Sequence, residues 1–307
     1  MTRVVCIGEC MVELRALGAD RYFRSYAGDV YNTAVYLKRT LPAAQVQFLT
    51  ATGDDGMSQA MRRTWRAQGI EDTLAFIVRG GSPGLYLIET DARGERSFQY
   101  WRSNSAARRW LALLQERDES ILWGADLVYF SGISLAILSP AERTAALLLL
   151  RRLRDHVGLI AFDPNVRPAL WEDPALARDT IKAALSACDI ALPSAQDLKW
   201  QFHVDDPMEQ IAHVQEIGVR EVALTLGEHG CAISDGARRI QLPAAEMDDV
   251  VDTSGAGDAF NGVYLAERLR GSAAADAARA ALAVASRVVT HAGAIVPAHV
   301  SHPATPT

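Results

Sequence analysis

Nine residues near the C-terminal end, Asp252-Thr253-Ser254-Gly255-Ala256-Gly257-Asp258-Ala259-Phe260, combine small residues, hydroxyls and two carboxylates in a pattern suited to phosphate chemistry. Beyond them Asn261–Arg270 reads as a helix, with Phe260, Val263, Leu265 and Leu269 at helical spacing and Gly271 as a stop. Gly255-Ala256-Gly257 therefore stands where a helix begins. The first amides of a helix have no carbonyl behind them, and small residues let a ligand approach them closely. Together with the helix dipole they form an anion site that suits a phosphate. An aspartate beside such a site repels an anion. Asp258 makes chemical sense if it takes a proton from a hydroxyl that attacks phosphorus. The competing reading makes Gly-Ala-Gly a close packing point and Asp258 a first-turn acid favoured by the dipole. No Gly-Lys-Ser/Thr follows, so this is not a P-loop. Phe260 stands where a dinucleotide fingerprint needs its third glycine.

The elements that must position these residues follow from hydrophobic patterning. Apolar runs at Arg3–Gly8, Val46–Thr52, Asp126–Ser131, Leu159–Asp163, Ile190–Leu192 and Glu221–Leu226 read as strands. Helical spacing recurs at Ser58–Gln68, Pro140–His156 and Pro174–Ala187. Continuous apolar strands alternating with helices predict an α/β fold around a parallel sheet covered on both faces. Ligands in such folds gather at the carboxyl ends of the strands. Two stretches break the rhythm. Leu85–Glu89 and Glu95–Tyr100 alternate around Thr90-Asp91-Ala92-Arg93-Gly94, a hairpin signal, and Met11–Arg15 with Arg21–Tyr26 suggest two more short strands. These four predict a small antiparallel sheet projecting as a lid, with inserted segments at about residues 11–28 and 83–101 of one 307-residue domain.

Composition narrows the function classes. With 49% apolar and 22% charged residues the chain is globular, and a net charge of -6 disfavours a nucleic-acid partner. The run Ala145–Leu150 is too short to cross a bilayer, and the N-terminus enters a strand without a leader pattern, so no membrane partner and a cytoplasmic location are expected. Cys6, Cys10, Cys188 and Cys231 lack metal-site spacing and read as buried free thiols; the seven histidines form no ligand constellation.

Residues Asp252–Phe260 resemble the C-terminal signature of the ribokinase-like (PfkB) carbohydrate kinases, and Ala27-Gly28-Asp29-Val30-Tyr31-Asn32-Thr33-Ala34 resembles that family's N-terminal sugar-binding motif, with Ala27 in place of the usual first glycine. Within the family the chain is most similar to 2-keto-3-deoxygluconate kinases. Gly8-Glu9-Cys10-Met11-Val12-Glu13-Leu14, Pro83-Gly84-Leu85-Tyr86, Tyr100-Trp101-Arg102, the run Ser131–Leu138 and Asp163-Pro164-Asn165-Val166-Arg167-Pro168-Ala169-Leu170-Trp171 carry that likeness. The resemblance implies a ribokinase-like three-layer sandwich with a small β lid. It implies transfer of the ATP γ-phosphoryl group to the C6 hydroxyl of 2-keto-3-deoxygluconate, with Mg²⁺; another sugar or sugar acid is the alternative, and a non-catalytic sugar-acid sensor a more distant one.

By the same resemblance Asp258 is the base and Gly255, Ala256 and Gly257 line the anion hole. Gly28, Asp29, Tyr31 and Asn32 face substrate hydroxyls, and Tyr86 and Tyr100 supply lid contacts. Thr225, Gly227 and Gly230 hold the nucleotide with Asn165, although Lys often stands where Thr225 is. Helix Ala278–His291 is expected to wall the adenine. Arg102 and Arg167 suit a carboxylate or phosphate, which a planar guanidinium grips in a two-pronged way that a neutral sugar does not need. Arg167 fits either the substrate or ATP. Where relatives carry Asn-x-x-Glu for magnesium, this chain has Ser194-Ala195-Gln196-Asp197, which leaves Asp197 as the candidate carboxylate for the metal or its water shell. The expected partners are a sugar acid and ATP, in a homo-oligomer.

Overall fold

The computed structural model describes residues 1–302 except Ala19, residues 91–95, Glu246 and Asp248. The chain opens with β1 (Arg3–Ile7), crosses to β2 (Met11–Ala16) and β3 (Tyr22–Ala27), and returns through α1 (Asp29–Thr40) to β4 (Gln45–Gly53) and α2 (Gly56–Ala67). Short strands β5 (Ile70–Glu71) and β6 (Ala75–Val78) precede β7 (Leu85–Thr90) and β8 (Arg96–Trp101). After α3 (Trp110–Gln115), strands and helices alternate. They are β9 (Leu127–Ser131), α4 (Gly132–Ala136), α5 (Pro140–Leu153), β10 (Leu159–Asp163), α6 (Pro174–Leu185), β11 (Ile190–Ala191), α7 (Ala195–Phe202) and α8 (Pro207–Glu216). The hairpin strands β12 (Glu221–Thr225), β13 (Cys231–Ser234) and β14 (Arg239–Leu242) follow. The chain then ends through α9 (Ala256–Leu269), α10 (Ala274–Val288) and α11 (Ala298–Ser301).

The main sheet runs β14-β13-β12-β11-β10-β9-β1-β4-β5, with β6 also on β4. It is parallel from β12 to β5 and antiparallel across β12-β13-β14. Its inner strands are buried on both faces, which is why they read as unbroken apolar runs. On one face α9 lies between α1 and α10, sharing a core with Phe48, Trp65, Tyr129 and Phe260. On the other face α3 to α8 pack over Phe130, Phe162 and Leu224. The expected three-layer sandwich is what forms. Local signals set the helix starts: Ser139 and Glu142 make a capping box before Pro140, and Asp173 caps the helix opened by Pro174. Helices read from spacing as Pro140–His156 and Pro174–Ala187 therefore begin where expected and stop two or three residues sooner.

The second sheet has the order β3-β2-β7-β8. It is not wholly antiparallel as expected: β2 and β7 pair in parallel, Val12 opposite Leu85, between two antiparallel pairs. The physical reason is that each half leaves the main domain at the same root. Glu9-Cys10 feeds β2 and Ser82-Pro83-Gly84 feeds β7, so both strands travel outward in one direction. The turn read at Thr90–Gly94 lies largely outside the described residues. The sheet turns Phe23, Phe98, Tyr100 and Trp101 toward solvent. Of the described residues, no helix is long and apolar enough to cross a membrane.

Candidate active site

The N-termini of α1 and α9 and the carboxyl end of β10 meet at one edge of the main sheet. Helix α9 begins at the glycine run, as the sequence led one to expect. Gly255 is its N-cap at φ 73°, a left-handed conformation that favours glycine. A side chain there would also strike the backbone of Ala294. Gly257 faces open space. The amides of Gly257 and Asp258 stand in the first turn, where a helix offers no acceptor. That of Ala256 turns back to the Thr253 carbonyl at 3.3 Å, so the anion hole has fewer free donors than the tripeptide implies.

Asp258 sits deep among protein groups yet keeps part of its surface open to the cleft. Burial pushes its acid up to about 7, and the charge of Asp29 pushes the same way. The Asn32 amide and the Arg167 charge oppose that rise. Asn32 Nδ2 donates to Asp258 Oδ2 at 2.8 Å. Of the described residues none hydrogen-bonds the other oxygen, which is free to accept a proton.

Asp29 opens α1, and Asn165 Nδ2 donates to its Oδ2 at 2.7 Å. Gly28 caps the same helix, its N–H 3.4 Å from Asn32 Oδ1. Asn165 was expected at the nucleotide; its amide is instead engaged by Asp29, and its backbone takes the left-handed region at φ 33°. Arg167 is exposed at the same strand end, within electrostatic reach of Asp258.

Four further expectations need correction. Tyr31 does not face substrate: it is fully buried, its ring against Phe48 and Trp65, because α1 turns that face into the core. Tyr86 is buried too; its hydroxyl donates to Glu13 and its ring stacks on exposed Tyr100 at 5.7 Å. Arg102 is not a free lid cation. It is buried at the root of the second sheet, ion-paired with Glu9, which also accepts from Ser105. Asp197 is a capping residue: Oδ2 accepts from the Ser194 N–H and hydroxyl, and Oδ1 accepts the Val166 N–H at 2.7 Å. Among the described residues no group of three or more histidine, cysteine or acidic side chains could hold a metal.

Where the nucleotide was expected, Thr225 is half-buried, its hydroxyl 3.4 Å from the Pro193 carbonyl, and Gly227 is exposed in the turn that follows. Gly230 serves the β12–β13 turn: at φ 94° it packs so closely on the backbone near Leu242 that no side chain fits. The helix expected to wall the adenine runs over Ala274–Val288, with Ala278 and Ala281 buried in the core.

Spacing alone did not single out two residues that border Asp258. Asp163, the last residue of β10 and 7% exposed, accepts from Asn261 Nδ2 and from the Asn165 N–H, each at 2.9 Å. Burial, with Asp197, Asp29 and Asp258 nearby, holds its acid well above the usual carboxylate range. Asn261 stands one turn after Asp258. The repeated Asp-x-x-Asn at Asp29–Asn32 and Asp258–Asn261 was the signal available in the sequence.

Comparison with known proteins gives the family and the fold. The model of the pfkB family carbohydrate kinases matches residues 1–300. The chain is 40% identical over 303 residues to the 2-dehydro-3-deoxygluconokinase of Escherichia coli (strain K12), covering 96% of this chain and 97% of that one. It is 39% identical over 303 residues to the enzyme of the same name from Dickeya dadantii (strain 3937), with 96% of each covered. Among solved structures, the PfkB protein from Polaromonas sp. JS666 superposes with a TM-score of 0.85 at 23% identity, over 98% of this chain and 99% of that one, a likeness of fold.

Proposed function

Because the chain belongs to the pfkB family of carbohydrate kinases, we propose that it phosphorylates the C6 hydroxyl of 2-keto-3-deoxygluconate (2-dehydro-3-deoxygluconate) with ATP. The observation that carries this reading is Asp258: a carboxyl near pKa 7, open on one oxygen, at the mouth of a glycine-opened helix. Such a group is ionised and basic enough near neutral pH to take a proton from an alcohol. The relatives named above supply the substrate class.

In this mechanism the sugar's primary hydroxyl approaches the free oxygen of Asp258, which removes its proton as the oxygen–phosphorus bond forms. The bond from the γ-phosphorus to the bridging oxygen breaks, and ADP leaves with that electron pair. The first-turn amides of α9 meet the charge on the transferring group. Arg167 is the exposed guanidinium at this edge and takes the acidic end of a ligand, since Arg102 is engaged by Glu9. Mg²⁺, bound through the nucleotide phosphates, would offset their charge; Asp197 contributes indirectly, holding Val166 and the loop beside it. The lid sheet shields the sugar from water, and its exposed aromatic residues Phe23, Phe98, Tyr100 and Trp101 offer contacts to a second copy of the chain.

The test is turnover on a panel of 2-keto-3-deoxygluconate, gluconate, fructose and ribose, read as coupled ADP formation. The keto-deoxy acid should give the highest kcat/KM. Equal rates on neutral sugars, or binding without ADP, would defeat the reading.

A further inference from the structure

Three hydrogen bonds around the base have one chemical form and join three elements pairwise. Asn32 of α1 donates to Asp258 of α9 at 2.8 Å, Asn261 of α9 donates to Asp163 at the end of β10 at 2.9 Å, and Asn165 after β10 donates to Asp29 of α1 at 2.7 Å. Each helix contributes an aspartate and an asparagine one turn apart, so both side chains leave the same face. The third corner uses Asp163-x-Asn165, bent by the left-handed backbone of Asn165 and closed by its own N–H on Asp163. The result is a closed triangle in which every donor is an asparagine and every acceptor an aspartate.

From this geometry we propose that Asp163 and Asn261 are positioning residues for the reaction: they complete the triangle that holds α1, α9 and the β10 loop in one arrangement and aims Asp258 at the incoming hydroxyl. The inference rests on the reading of Asp258 as the base. Neither residue is placed to touch a ligand directly; both are more than nine-tenths buried. Asp258 has a single fixed oxygen, and the helix that carries it is pinned one turn later by Asn261. A shift of α9 against β10 thus moves the base. The loop corner is secured independently, since Asp197 accepts the Val166 N–H and Gly132 packs on the Pro164 carbonyl. The charged groups facing Asp163 are Asp29, Asp197 and Asp258.

An exchange of partners tests this. In Asp163→Ala the acceptor is gone, and in Asn261→Asp two carboxyls face each other; Asp163→Asn alone lets the Asn261 amide turn over and keep a bond, so it enters only as half of the double variant Asp163→Asn/Asn261→Asp. In the double variant the amide introduced at position 163 can still accept from the Asn165 N–H while donating to the carboxylate introduced at position 261, so the bond is restored with its direction reversed. Each single variant should lose on the order of 10–100-fold in kcat, with KM for sugar and ATP changed less than about threefold, as expected for a misaimed base. The double variant should return to within about fivefold of wild type. Singles with kcat within about twofold of wild type, or a folded double variant as slow as the singles, overturn the proposal. Thermal melts report whether each variant folds. If the buried variants do not, Asn165→Gly cuts the triangle at its half-exposed corner while keeping the left-handed backbone. Lower kcat at constant KM for ATP then supports the triangle, and unchanged kcat refutes it. Wild-type turnover and its loss in Asp258→Asn run alongside. If these controls fail, the assignment of the base goes; if they hold and the exchange fails, the triangle alone goes.

Discussion

Replacing Asp258 by Asn should make the protein slower and more stable at once, and the two effects should part company with pH. The raised acid means that ionised Asp258 is worse solvated in the folded chain than in the unfolded one. Between the ordinary value, 3.8, and about 7, the folded state holds a proton that the unfolded state has lost, so wild-type stability falls as pH rises through that window and then levels off. The full shift corresponds to about 4 kcal/mol, and allowing for the open side of the cleft leaves roughly 2 kcal/mol. Asparagine never ionises and keeps an oxygen for the Asn32 amide. Its melting temperature should match wild type near pH 4 and exceed it by about 4 °C or more at pH 8. Turnover should fall by about 10²–10⁴-fold, the usual worth of a general base, while ATP and sugar bind within about threefold of wild type. Melts at pH 4, 6 and 8 with a coupled ADP assay measure both arms. Turnover within tenfold of wild type, or a melting difference that ignores pH, would refute the assignment and its electrostatic cause.

Other expectations follow from the same contacts. The acid limb of kcat/KM should have an apparent pKa about 7; Arg167→Ala should move it up, since a cation that lowers Asp258 is gone, and Asp29→Asn should move it down. A pH–rate series on the three proteins checks both signs. Tyr31→Phe should leave kcat and KM unchanged and stability equal or higher, because the buried Tyr31 hydroxyl has no hydrogen-bond partner among the described residues; a substrate-facing tyrosine would raise KM. Arg102→Ala should lower stability by about 3–5 kcal/mol in denaturant melts, because it strands the buried Glu9 carboxylate at the lid root. The companion Glu9→Gln/Arg102→Met should recover part of that loss.

Much of this was legible along the chain. The parallel sheet could be read because strands buried on both faces have no room for polar residues, and the helix starts because Ser139, Asp173 and Pro174 act within one turn. The glycine-opened helix and its aspartate were recognisable for the same reason: unpaired amides and a carboxylate one turn apart are a local fact. The short antiparallel strands β13 and β14 were missed, their four residues each being too few for a period to show.

What the linear order left open was every question about partners across the fold. Arg102 and Glu9 are 93 residues apart, and only folding shows that the cation is already taken. Tyr31 lies in the same motif as Asn32, yet consecutive helix positions point about 100° apart, so one enters the core and the other reaches Asp258. Asp197 looked like a metal ligand by position and proves to be a cap, because the Val166 amide arrives from another loop. By itself the sequence determined most of the elements, the glycine-opened helix end and the candidate base Asp258, all set by interactions within a few residues. Tertiary structure decided which charges are free, how far the base is raised and what holds it still. Those depend on desolvation and on hydrogen bonds between groups that only the folded chain brings within 3 Å.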